Sequence, residues 1–177
     1  MILKESEIGD TDLIYPILGK PYKEPGKIFT ATGSSMYFVK QSLDTDGNPL
    51  PLKRDEMKGI FQRYEKGLQL FLNKSNYQNA ILINYDSIES IVINKVEEIS
   101  TVTDSFWLKA LSLFDSIPFL NEITKSMKYQ RRETELIIIT DFMKMTMITS
   151  YSSYQREVSY FKNLDCAEKV IIKKNGS

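Results

Sequence analysis

Along residues 79–95, NAILINYDSIESIVINK, apolar and polar side chains alternate at a period of two, slip by one position, and alternate again. Ile81, Ile83 and Tyr85 hold the inward positions first; Ile88 follows three residues on, Ile91 three beyond that, and Ile93 restores the two-residue step. A continuous strand would send Tyr85 and Ile88 to opposite faces. One helical turn or a bulge at Asp86-Ser87 returns both to a shared interior. The pattern predicts a strand, a corner, and a second strand leaving in a new direction.

The same reading extends along the chain. KIFTATGSSMYFVKQSL, rich in β-branched and aromatic residues, predicts two strands or one bent strand, broken at Gly33-Ser34-Ser35. DEMKGIFQRYEKG fits either a helix from Asp55 or a strand toward Tyr64. Leu68, Leu70 and Leu72 point one way, SNYQN turns, and a strand runs from Ala80 to Asn84. Leu136 to Ile139 predict a short buried strand, Thr140-Asp141 a tight turn, and Met143, Met145 and Met147 the packed side of a strand or an adaptable binding surface. Pro16, Pro21 and Pro25, with Gly19 and Gly26, predict an irregular arm over residues 1–26, anchored by Leu13, Ile14, Tyr15, Ile17 and Leu18. Residues 27–177 then make a single domain.

Two stretches change to a helical period. In residues 104–128, Asp104 can cap a helix whose apolar face is Phe106, Trp107, Ala110, Leu111 and Phe114; Pro118 suits the first turn of a second helix carrying Phe119, Ile123 and Met127. This predicts a two-helix insertion. Near the end, Ser152 or Ser153 caps an amphipathic helix with Tyr154, Val158, Phe161 and Leu164 or Cys166 facing inward. The fold class expected is α+β: a bent antiparallel sheet or partly open barrel, capped by this helix.

Three stretches carry a resemblance: GLQLFLNK followed by ILINYDSIESIVINK, the late hairpin ELIIITDFMKMTMIT, and the closing SYQREVSYFKNL. Together they resemble the pleckstrin-homology-like superfold, particularly its GRAM and bacterial members. The resemblance implies a seven-stranded, strongly bent sheet plugged at one end by the last helix. It also implies a module that binds lipid head groups, peptides or proteins and rarely catalyses. The phosphoinositide-binding kind places several cations between its first two strands; the nearest here, Lys40, Lys53 and Arg54, are sparse, and no lipid site is carried over. The helices around Phe106 to Met127 depart from the family plan, which has a short loop there.

With 177 residues, 42% of them hydrophobic, the chain can bury a full core. Twenty-three basic residues balance twenty-three acidic ones, which leaves no global field toward nucleic acid. The lone cysteine, Cys166, cannot form an internal disulfide, and no signal-peptide core or run of about 18 apolar residues is present, so a cytoplasmic location is the default expectation. There is no histidine. Ser-His-Asp and Cys-His chemistry and the usual zinc sites are therefore excluded within the chain, and neither enzymatic activity, metal nor cofactor is expected.

The remaining candidates are few. DTDGN at 44–48 has the opening spacing of a calcium loop but lacks its later glycine and glutamate, and a turn at Asp46-Gly47 explains the same letters. Lys125, Lys128, Arg131 and Arg132 cluster beside Tyr129 as a candidate anion or lipid contact, or as the solvated end of a helix. Phe106, Trp107, Leu111, Phe114 and Phe119 form a candidate interface. The expected function is an interaction module that takes a protein partner or self-associates through this insertion. The alternatives are peripheral attachment to an anionic membrane through Trp107, Phe119 and the basic run, or a small-molecule carrier or unfamiliar enzyme inside a barrel.

Overall fold

A computed structural model describes residues 1–23, 33–50, 52, 57–74, 77–101, 129–149 and 152–173. Among the described residues it is an α+β fold: nine strands in one open, mixed sheet with two α-helices. The strands are β1 (Ile2–Lys4), β2 (Gly33–Asp44), β3 (Lys58–Arg63), β4 (Gly67–Lys74), β5 (Tyr77–Asn84), β6 (Ile88–Thr101), β7 (Tyr129–Thr140), β8 (Met143–Thr149) and β9 (Val170–Lys173). The helices are α1 (Thr11–Leu18) and α2 (Tyr154–Lys162). Strand order is β1-β5-β4-β3-β2-β8-β7-β6-β9. Strands β2 to β5 form one antiparallel meander and β6 to β8 a second; β2 and β8 join them.

The corner lies where the slipped alternation places it. Asn84 and Tyr85 carbonyls accept from the Ser87 and Ile88 amides at 3.2 Å each, making one tight turn, and Asn84 Oδ1 accepts from the Asp86 amide at 2.9 Å. Tyr85 and Ile88 both reach the main core. The three-residue step from Ile88 to Ile91 coincides with a register shift against β7 between Ile88 and Ser90.

That core draws on both meanders. Phe61, Leu68, Leu70, Ile81 and Ile83 meet Ile91, Ile93, Leu136, Ile138, Met145 and Met147, and Phe161 of α2 packs among them. A chain of edge-to-face rings runs from Tyr37 through Phe61 to Phe161 and Tyr160, with centroids 5.1 to 5.9 Å apart. The methionines of β8 are strand packing, each 1% exposed or less.

Several expectations need correcting. The segment read as an irregular arm holds β1 and α1. Asp10 caps α1 by accepting from the Asp12 amide at 2.9 Å, and Pro16 is accommodated because Ile14 and Leu18, one turn apart, bury themselves against β4 and β5. The Leu18 and Ile17 carbonyls at the helix end accept from the Lys66 amide at 2.8 Å and Asn84 Nδ2 at 2.9 Å. This gives β4 and β5 a second buried face, on which Gln69 is sealed by Tyr64 and the Ile8 carbonyl. The sheet is mixed rather than purely antiparallel, since β9 pairs in parallel with β6. Four residues, VIIK, are too short for periodicity to mark as a strand. Within DEMKGIFQRYEKG, Lys58–Arg63 form β3, and β7 starts at Tyr129, well before Leu136. The two-helix insertion at 104–128 lies outside the described residues.

Candidate functional site

Two places gather functional side chains. The first is the end of the core beneath α2. Period two in β3 puts Arg63 on the face of Phe61, so a guanidinium points into the capped end. Its Nη2 lies 3.2 Å from Asp165 Oδ1, and its plane sits 3.6 Å from the centre of the Tyr22 ring. Its carbonyl accepts from the Tyr22 amide at 3.0 Å, so one residue ties the N-terminal segment, β3 and the loop after α2. Lys169 Nζ donates to the Tyr85 carbonyl at 2.8 Å, pinning the chain after α2 to the corner.

Glu157 is the anomaly here. It sits on the inward face of α2, 1% exposed, and neither carboxylate oxygen has a hydrogen-bond partner. Burial pushes its carboxyl up to about 7, and the Ser35 hydroxyl beside it acts in the opposite direction. Ser35 Oγ, Tyr37 OH, Tyr154 OH, Tyr160 OH and Arg63 Nε are also buried without partners. Burial raises Tyr85 and Tyr160 above the ordinary phenol range, and pushes the Cys166 thiol up to about 11. The phenols and the thiol are thus neutral near pH 7, and Cys166 is no poised nucleophile. Sequence reading passed over Glu157 because a charged residue in a helix is normally a solvated one. Its spacing, three after Tyr154 and four before Phe161, was the available signal.

The second place is the β6–β7 hairpin. Pairing between β7 and β8 ends at Glu135↔Ile148, and between β6 and β9 at Asn94↔Lys173. Beyond these, residues 95–101 and 129–134 pair with each other; Thr149 at the end of β8 still bonds through its hydroxyl to Thr134, and past Thr134 no third strand pairs with them among the described residues. This two-stranded ribbon is roughly 20 Å long. The basic run proves not to be a helix end where it is described: Arg131 and Arg132 lie on β7, in register with Ile99 and Glu98. Phe106, Trp107, Leu111, Phe114, Phe119, Lys125 and Lys128 lie outside the described residues. The DTDGN letters are a capped turn: Asp44 Oδ1 accepts from the Asp46 and Asn48 amides at 3.0 and 2.7 Å, and Gly47 takes the positive φ of 82° that the turn requires.

Among the described residues no helix is long and apolar enough to cross a membrane, and no group of three or more Asp, Glu or Cys side chains is placed to hold a metal. Comparison with protein-family models, with curated proteins and with solved structures finds no match to this chain.

Proposed function

We propose that this chain is a non-enzymatic interaction module of pleckstrin-homology-like architecture, whose β6–β7 ribbon presents residues 102–128 to a second copy or a protein partner. The single observation that carries the reading is the ribbon itself, a pair of strands continuing past every other strand that flanks it among the described residues. Isolated two-stranded ribbons are marginal in water, so one that runs beyond its sheet gains most when what it carries is packed against something. The order of a four-stranded meander, a corner, a three-stranded meander and a closing helix supports the architectural part. The absence of histidine, with phenols and thiol held neutral, supports a binding role over catalysis.

Light scattering on the full chain and on Trp107→Asp tests it, with circular dichroism to show that both are folded. Wild type is expected to exceed monomer mass at tens of micromolar, and the variant to lose that association. Monomers in both, with vesicle flotation that requires anionic lipid and Lys125, Lys128, Arg131 and Arg132, would overturn it in favour of membrane attachment.

A further inference from the structure

We propose that Glu157 makes the seating of α2 proton-dependent, the neutral carboxyl holding the helix on the sheet and the carboxylate releasing it. The geometry is that of a helix–sheet interface with a carboxyl in its middle. α2 has nine residues and touches β2, β6, β7 and β9. Its inward face is Phe161 and Glu157, both fully buried, with Val158, Tyr154 and Tyr160 partly so. A carboxylate in that position, 1% exposed with the Ser35 hydroxyl as its polar neighbour, is costly to hold as an ion; a neutral carboxyl is far less so.

Among the described residues, the groups packed around it offer no compensating charge. Ser35, on β2, is a neutral hydroxyl. Arg63, on β3, is engaged with Asp165 and the Tyr22 ring. On β7, Glu133 is engaged at the first turn of α2, where it accepts from the Tyr154 amide at 3.4 Å. Lys169, ahead of β9, is bound to the corner carbonyls. Lys173 on β9, and Arg156 and Lys162 on α2, are exposed. Tyr85 and Tyr160, held neutral by burial, complete the set.

The sign follows. In a lifted helix the carboxyl titrates near its ordinary value of 4.5; seated, it titrates near 7. Between these values the seated form keeps a proton that the lifted form gives up, so seating weakens as pH rises and the full penalty is present above pH 7. The expected weakening from pH 4.5 to pH 8 is on the order of a hundredfold in the seating equilibrium. Lifting α2 would uncover Phe161, Leu164 and the rings of Phe61 and Tyr37, an apolar surface kept closed in acid and opened toward alkaline pH.

Hydrogen exchange of residues 154–162 in the full chain, read as protection factors at pH 5 and pH 8, tests this. Protection in wild type should fall by on the order of a hundredfold while β4 and β5 hold, and Glu157→Gln should stay protected at both values. Equal pH profiles in wild type and variant would overturn the proposal. If Glu157→Gln does not fold, carbon NMR of labelled glutamate in wild type decides alone: a Glu157 midpoint near 7 supports proton-dependent seating, and one below 5 overturns it.

Discussion

At the scale of single residues, Arg63 and Glu157 show how burial ranks charges. Arg63 is 10% exposed while its partner Asp165 is 60% exposed, so the salt bridge itself is water-screened and the stacking on Tyr22 carries more of the stabilisation. Arg63→Lys, which keeps the charge and loses the planar stack, should cost about 1–2 kcal/mol by urea denaturation, whereas Asp165→Asn should cost less than about 1 kcal/mol. For Glu157, the difference between about 7 in the native chain and 4.5 in the unfolded one corresponds to about 3 kcal/mol, a stability present at pH 4.5 and lost by pH 8. Urea midpoints at the two pH values should show wild type losing this stability and Glu157→Gln flattening the profile. Neither charge was legible in the sequence: the segment holding Arg63 fits either a helix or a strand, and Glu157 stands outside the apolar stripe of its helix, where a charge is normally solvated.

Secondary elements were legible in proportion to their length and to how one-sided they are. The corner at Asp86-Ser87, the hairpin of β7 and β8, and α2 with its Ser153 cap are all visible in apolar spacing, because each buries one face in one core. α1 was hidden by Pro16, and β9 by its four-residue length. β4 was half legible: Leu68, Leu70 and Leu72 were clear, but Gln69 on the reverse face is equally buried, bonded to Tyr64 and to the Ile8 carbonyl ahead of α1. The glycine that opens β4 shows how close α1 lies. A side chain at Gly67 would run into the Ile83 carbonyl and come within 2.7 Å of Leu18 Cδ2. Gly67→Ala is expected to lower stability by about 1–3 kcal/mol, measured by thermal melting, and the pair Gly67→Ala with Leu18→Ala should be non-additive because the second relieves part of the clash.

At the scale of the whole molecule, the two chain ends are unequal. β1 and α1 bring Leu3, Ile14 and Leu18 into a second buried cluster, whereas no residue of β9 is fully buried. A chain ending at Lys169 should therefore keep a cooperative melt close to that of the full chain, and one beginning after Gly19 should lose several kcal/mol, by summed burial of three aliphatic side chains. Calorimetry on both truncations distinguishes the outcomes. The joint between the meanders has a further consequence, for the order of events in time. β2 lies near the start of the main sheet and β8 near its finish, so Tyr37 meets Thr149 only after almost everything between has been synthesised. Until that late partner arrives, β2 offers an open flank to any passing strand. Refolding should accordingly be slow for its size, in milliseconds to seconds. Crowded nascent chains would be most vulnerable to aggregation at β2, and a chaperone binding site is best sought there.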